Sequence, residues 1–147
     1  MEAEAAKHMK WILFLAEMLP RLQLHTLDVQ ALGTDTYRIN VVVENTGYLP
    51  TFTSQQSKAR QAVRSVRAEL TLPEGVEILS GKRRVELGFL EGRSNKSDVA
   101  TLYGFSPTDN RVRVEWVLRA PVGSSVKLEI LSERAGSLHK EIKLGIE

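Results

Sequence analysis

The sequence contains no cysteine, which excludes disulfide bonds and thiolate metal sites from all 147 residues. Many exported domains also lack cysteine, so this absence alone does not decide the compartment. We favour an extracytoplasmic location over a cytoplasmic one. Aromatic residues are scarce too, at 6% of the chain. Most of them fall at core positions of predicted strands, so we expect no stacking platform for sugars or nucleic-acid bases.

Long apolar runs are missing as well. The strongest run, residues 11–15, reaches Leu19 only across Glu17, whereas a membrane-spanning helix needs about 20 apolar residues. No membrane span is therefore predicted. Acidic residues Glu2 and Glu4 precede the run and no small-residue cleavage site follows it, which does not fit a signal peptide. The opening of the chain reads like the interior of a longer protein.

The two signs of charge almost cancel. Lys and Arg number 20 against 18 Asp and Glu, and the densest basic group is Lys82, Arg83 and Arg84. We place that group at the solvated end of a hairpin, so no nucleic-acid partner is predicted. Hydrophobic residues at 42% and charged residues at 26% are typical of a globular chain.

Residues 1–22 are predicted to form an amphipathic N-terminal helix. No glycine interrupts this segment, its apolar residues recur at helical spacing, and Pro20 ends or kinks it. The apolar stripe is broader than one docking face requires. We expect part of it to pack on the rest of the chain and the remainder to meet another domain or a second copy of this chain. The contact residues predicted on this helix are Trp11, Ile12, Phe14, Leu15, Met18 and Leu19.

Residues 23–147 are predicted to form an immunoglobulin-like antiparallel β-sandwich. Eight or nine short strands alternate apolar and polar residues, with turns between them. The alternation changes parity near His25, which predicts a β-bulge. Residues 52–64 lack a strand pattern and are expected to form a loop, residues 99–105 a strand, and Trp116 a core anchor. The fold class is all-β with one helix in front.

The stretch ENTGYLPT, residues 44–51, follows the clearest strand directly. Asn45 and Gly47 suit a tight turn, and Pro50 stops the strand from resuming. Turn chemistry does not explain Tyr48 and Leu49, which are large and apolar. Tyr48, Leu49 and Pro50 either cap one end of the sandwich or form a contact with another domain.

No constellation of catalytic residues is present. The three histidines, His8, His25 and His139, lack metal-ligand spacing. No Gly-x-Ser-x-Gly turn and no glycine-rich phosphate loop occurs. We therefore expect neither catalysis nor a cofactor in this chain.

Three stretches resemble the segment that follows the catalytic domain in bacterial zinc carboxypeptidases of the carboxypeptidase A type. They are KHMKWILFLA with LPRL (residues 7–16 and 19–22), YRINVVVENTGYLPT (residues 37–51) and LGFLEGRS (residues 87–94). The resemblance implies a helix that closes the peptidase unit and leads into a β-sandwich. The family's His-x-x-Glu zinc motif has no match here, because Trp11 and Asp28 stand where the glutamate would follow His8 and His25. Zinc is thus expected only in the absent catalytic domain.

The resemblance implies a non-catalytic accessory domain that stabilises or docks on the peptidase unit and shapes substrate access. The partner is then the catalytic domain, and the chain by itself is expected to form a homodimer through the helix. The alternative is a free-standing immunoglobulin-like module that binds a protein or a cell-wall carbohydrate. Such a module would need exposed aromatic residues, which this composition does not favour.

Overall fold

Period-two alternation along the chain produces two antiparallel sheets that pack face to face. The computed structural model describes residues 2–96 and 109–145. In the first sheet the strand order is β1-β2-β6-β4, and in the second it is β5-β3-β7-β8. The elements are α1 (Glu2–Glu17), β1 (Leu22–Gly33), β2 (Thr36–Asn45), α2 (Gln55–Ala59), β3 (Val66–Thr71), β4 (Glu77–Ser80), β5 (Arg84–Gly88), a 3₁₀ turn (Arg93–Lys96), β6 (Arg111–Arg119), β7 (Ser125–Ser132) and β8 (Gly136–Lys143).

This architecture confirms the predicted immunoglobulin-like sandwich with one helix in front. The bulge is confirmed as well, because the β1–β2 register shifts between Leu24 and Thr26, on either side of His25. The strand predicted over residues 99–105 lies outside the described residues.

The core lies between the inward faces of the two sheets. Trp116 of β6 is its largest fully buried side chain. The indole nitrogen of Trp116 donates a hydrogen bond of 2.9 Å to the Lys82 carbonyl, so the ring carries no unsatisfied donor. Gly81 makes this fit possible, since a Cβ there would lie 2.7 Å from Cδ1 of the indole. Lys82, Arg83 and Arg84 are exposed, as expected for a hairpin end.

Two boundaries differ from the sequence prediction. The helix ends at Glu17 rather than at Leu22, which is already the first residue of β1. Pro20 excludes the α conformation from the residue before it, and the chain is extended by Leu22. A short helix, α2, lies within the segment predicted to be a loop. Ser54 and Ser57 start it with a reciprocal capping box, a signal too short to show helical periodicity.

The expectation that part of α1 packs on the sandwich is wrong. Every side chain from His8 to Glu17 is exposed. The outward faces of the sheets explain why α1 does not pack on them, because they carry charged residues rather than an apolar surface. On the first sheet Arg113 bonds to Asn40 and Glu115, and on the second Arg67 pairs with Glu69. Covering such groups with an apolar helix would cost desolvation energy without new polar partners.

Replacing Trp116 with alanine should lower the free energy of unfolding by roughly 3–5 kcal/mol, because a large cavity would open between the sheets. Urea denaturation measures this. Val122→Ala is the control, since Val122 is 69% exposed and its truncation should cost under about 0.5 kcal/mol. A loss below about 1 kcal/mol for Trp116→Ala would contradict the assigned core.

Candidate functional site

Three segments distant in sequence meet where α1 joins the sandwich. They are residues 18–22, which link α1 to β1, residues 45–51, which follow β2, and residues 90–94, which follow β5. We call this meeting point the junction. Backbone and side-chain hydrogen bonds connect all three segments. Residues 19–22, 45–51 and 90–94, which are parts of the three stretches quoted above, therefore meet in one place.

The side-chain amide of Asn45 is the centre of the junction. Asn45 is fully buried. Its Oδ1 accepts hydrogen bonds from the backbone N–H groups of Arg21 and Gly47, both at 3.0 Å. Its Nδ2 donates to the carbonyl oxygens of Leu49 at 2.9 Å and Glu91 at 3.1 Å. A primary amide offers two donors and two acceptor lone pairs, and here all four are used.

Backbone hydrogen bonds hold the linker to the loop on both sides of Pro20. The N–H of Thr46 donates to the Arg21 carbonyl, and the N–H of Leu49 donates to the Met18 carbonyl, each at 2.9 Å. The second bond satisfies a carbonyl at the end of α1, where the helix itself supplies no donor. The direction in which the helix leaves the sandwich is fixed by these contacts.

Two glycines allow the segments to approach this closely. A Cβ on Gly47 would overlap the Leu19 carbonyl oxygen and lie 2.6 Å from the Cα of Pro20. A Cβ on Gly92 would overlap the Tyr48 carbonyl oxygen in the same way. In both cases the obstacle is backbone, which cannot rotate away as a side chain can. Glycine is required at these positions because neighbouring backbone lies too close for a Cβ, and not because the glycine backbone is left-handed.

The segment after β5 completes the junction. The hydroxyl of Thr51 donates to the carbonyl of Leu90 at 3.2 Å and accepts from its N–H at 2.9 Å. The N–H of Ser94 donates to the carbonyl of Tyr48 at 2.9 Å. The loop is thus a bridge between the helix linker and residues 90–94.

A charged cluster lies one residue before Asn45. Glu44 accepts hydrogen bonds from Asn110 Nδ2 at 3.0 Å and Arg111 Nη2 at 3.3 Å, and His25 Nδ1 lies 3.3 Å from its other oxygen. Burial by itself would raise the pKa of Glu44, but the hydrogen bond and charge of Arg111, with Asn110 and His25, hold that pKa below its usual value.

An apolar surface extends from the junction along α1. Its seven large side chains are 45–60% exposed. They are Met9, Trp11, Ile12, Leu13, Phe14, Leu15 and Leu19. At 100° per residue these positions surround most of the helix, with Lys10 and Glu17 on the remaining strip. A helix that is apolar nearly all round is typical of a buried core element.

The structure brings the predicted contact residues together around the helix and its exit. Trp11, Ile12, Phe14, Leu15 and Leu19 belong to the exposed surface. Met18, Leu49 and Pro50 are half-buried in the junction, while Tyr48 is 46% exposed beside it. Their contact with a partner stays a prediction.

Sequence reasoning missed the buried members of this site. Phe52, predicted to lie in a loop, is 5% exposed and meets Phe89 edge to face, with ring centroids 5.9 Å apart. The linking role of Asn45 was missed as well. An asparagine directly after a strand, with glycine two residues later, was the available signal.

A groove of about 780 Å³ lies over the second sheet. Arg64, Arg67 and Arg84 line it. Each of them pairs with glutamate: Arg64 with Glu133 at 3.4 Å, Arg67 with Glu69 at 3.6 Å, and Arg84 with Glu69 at 3.4 Å. With Lys58, the lining holds four cationic side chains against Glu86 and Glu133. Ion pairs to Glu69 and Glu91, which lie outside the lining, offset the excess of positive charge.

Possible metal ligands do not cluster in the part of the chain that the structure describes. Within residues 2–96 and 109–145, no group of three or more His, Asp or Glu side chains could hold a metal ion. In the same ranges no helix is both long and apolar enough to cross a membrane.

Replacing Gly47 with alanine should lower the free energy of unfolding by roughly 1–3 kcal/mol, because the linker backbone must move away from the loop. Gly33→Ala is the matched control, since no atom lies within 4 Å of a Cβ there, and its effect should stay within about 0.5 kcal/mol. Thermal and urea unfolding of both variants measure the difference. Equal free energies of unfolding for the two variants would contradict the close approach of Gly47 to the linker backbone.

The charge of Glu44 should stabilise the fold at neutral pH. Since its pKa in the folded protein is lowered from 4.5, the contribution is fully present above the unfolded-state pKa and is lost as pH falls through the folded-state pKa. Glu44→Gln should be less stable than the wild type at pH 7, and the difference should shrink below pH 4.5. Melting temperatures across this range test it, with exposed Glu77→Gln as control. A stability difference between the two proteins that grows as the pH falls would contradict a stabilising charge on Glu44.

Comparison with known proteins gives similar structures and a family. The GAE domain of GGA2p from Saccharomyces cerevisiae is similar at a TM-score of 0.46 and 11% identity, over 86% of this chain and 90% of that one. Beta-glucosidase 3B from Thermotoga neapolitana, in complex with alpha-D-glucose, is similar at a TM-score of 0.32 and 15% identity, over 86% of this chain and 16% of that one. No curated protein matches the sequence. The family described as a domain of unknown function, DUF8731, matches residues 21–143, and the chain belongs to it.

Proposed function

We propose that this chain is a non-catalytic accessory domain that docks on an adjoining catalytic unit through α1. The observation that carries the proposal is the exposed apolar surface of that helix. With side chains 45–60% exposed, it presents roughly 700 Å² to solvent, close to the ~800 Å² that each partner contributes to a standard protein interface. Soluble monomers rarely expose so large an apolar patch.

The junction supports docking because it orients the helix in advance. Asn45 and the backbone of residues 46–49 hold residues 18–21 by hydrogen bonds. A docking element that is already oriented loses less conformational entropy when it binds. The family match begins at Arg21, inside the junction, so the family unit is the sandwich and α1 lies before it. This division suits a helix that belongs to the neighbouring unit.

Within α1, one face suits the adjoining unit best. Ile12, Leu15 and Leu19 are aliphatic and 45–57% exposed. Ile12 and Leu15 lie about 60° apart around the helix axis, and Leu19 follows the end of the helix. We call them the aliphatic face. Leu19 belongs to the junction, where its backbone touches Gly47, so this surface continues towards Tyr48. A partner that covers it would touch both the helix and the end of the sandwich.

The sequence resemblance names the adjoining unit as a zinc carboxypeptidase of the carboxypeptidase A type. Zinc and the catalytic groups would then come from that unit, because residues 2–96 and 109–145 hold no cluster of donor groups that fits a zinc site. The accessory domain would stabilise the peptidase fold and limit access to its cleft. An extracytoplasmic location accords with such a peptidase.

A free-standing ligand-binding module is the second candidate, favoured by the 780 Å³ groove over the second sheet. Phe89 and Leu131 give it an apolar floor, and Arg67 Nε has no hydrogen-bond partner at normal geometry. Its balanced ion pairs, however, offer no clear ligand chemistry. Changing Phe89 should abolish binding to that groove and leave docking through α1 intact.

The test uses the complete protein encoded by the gene that contains this sequence. We expect a carboxypeptidase domain with a His-x-x-Glu zinc motif before α1, and slow hydrogen exchange over residues 9–19. Ile12→Asp with Leu15→Asp should speed that exchange and lower the melting temperature of the peptidase unit, because charge would enter an apolar contact.

Val122→Asp is the control, since it places the same charge at an exposed apolar position of the sandwich. It should change neither the exchange of residues 9–19 nor the melting temperature of the peptidase unit. A gene without a peptidase domain would overturn the carboxypeptidase assignment. Exchange over residues 9–19 as fast in the complete protein as in the free domain would overturn docking itself.

A further inference from the structure

The outer surface of α1 carries an aromatic pair that the aliphatic face does not include. The rings of Trp11 and Phe14 stack with centroids 5.6 Å apart and planes at 28°. The two residues are 60% and 50% exposed. Being three positions apart, they lie on one face, about 100° around the helix from the aliphatic face. We call them the aromatic face. Two exposed, mutually stacked rings form a flat surface suited to another aromatic pair.

We propose that a second copy of this chain covers the aromatic face, with the two α1 helices packed antiparallel about a two-fold axis. In this arrangement Trp11 of each copy faces Phe14 of the other. The proposal goes beyond docking on an adjoining unit, because it concerns a different face of the helix and a different partner. It does not depend on whether the adjoining unit is a peptidase.

Charge complementarity selects the second copy as the occupant. Lys10 and Glu17 are both exposed and lie seven positions apart, on the strip that borders the aromatic face. Seven residues span about 10.5 Å along a helix, too far for these two to pair within one chain. When Trp11 faces Phe14 of the second copy, Lys10 lies beside Glu17 of the second copy. The two-fold axis repeats this contact, which gives two ion pairs.

The antiparallel direction follows from the same pattern. In a parallel pairing along this face, Lys10 would lie beside Leu15 of the second copy, and no ion pair would form. An antiparallel pairing also sends the two sandwiches to opposite ends of the helix pair. In this register Glu17 of one copy and Glu17 of the other, each the last residue of α1, lie about 13.5 Å apart along the helix pair, and the two sandwiches follow them in opposite directions.

The pairing leaves the aliphatic face open. Ile12 points away from the second copy, Leu19 follows the end of the helix, and Leu15 lies at the edge of the contact. The same helix can therefore contact an adjoining unit and a second copy at once. Together the two contacts cover five of the seven exposed apolar side chains, more than either contact covers alone.

Charge reversal tests both the partner and the register. Lys10→Glu and Glu17→Lys each set like charges beside one another at both ion pairs, so each should weaken dimerisation roughly tenfold at low salt. The double variant restores opposite charges and should return the dimer dissociation constant to within about threefold of the wild type. Sedimentation velocity over a concentration series measures the constants. Lys140→Glu, on the exposed side of β8, is the control and should change nothing.

Circular dichroism measures helix content, and so distinguishes a variant that unfolds α1 from one that only loses the contact with the second copy. Phe14→Glu should give a monomer at every concentration while the sandwich keeps its melting transition. A wild type that stays monomeric at high micromolar concentration would overturn the proposal. So would a dimer that the double variant fails to restore, since the register would then be wrong. Binding of the wild type to phosphatidylcholine vesicles in place of dimerisation would identify a lipid surface as the occupant and overturn it too.

Discussion

The buried amide of Asn45 is the interaction on which the arrangement of this chain depends. It contacts the helix linker, its own loop and the segment after β5 at once, with hydrogen bonds of 2.9–3.1 Å. No apolar side chain of similar size could replace it, because four backbone groups would lose a partner in a buried site, each at a cost of about 1–3 kcal/mol. Gly47 and Gly92 are needed for the same reason, since a bulkier residue would separate the groups that Asn45 joins.

The outward faces of the sheets determine what the helix can do. Ion pairs such as Arg84 with Glu69 and hydrogen bonds such as Arg113 with Asn40 give the sandwich a polar exterior. Charged exteriors of this kind keep a sandwich soluble and discourage pairing at sheet edges. They also leave no apolar surface on the outward sheet faces for α1 to pack against. The polar exterior and the rigid junction together leave the apolar helix available to other molecules.

Local pattern predicted the sandwich well because its strands bury one face. Alternation placed Trp116 in the core and the parity change placed the bulge at His25, since each is a property of neighbouring residues. The short helix α2 escaped prediction, as five residues are too few to show a period. The junction escaped for a different reason. Its hydrogen bonds join residues 24 and 46 positions apart, and no local pattern reports which distant backbone groups an asparagine will meet.

The position of α1 was the largest error, and it follows from a property of periodicity. A helical stripe shows that an apolar surface must be covered, but the stripe is the same whether the cover is the chain's own sheet or another molecule. The deciding information lay in the strands, whose outward residues are arginine and glutamate rather than leucine and valine. An apolar stripe broader than one face, beside sheets with charged exteriors, is therefore the combination that indicates an intermolecular helix. In this chain both parts were present in the sequence, and only their juxtaposition at the junction required the structure.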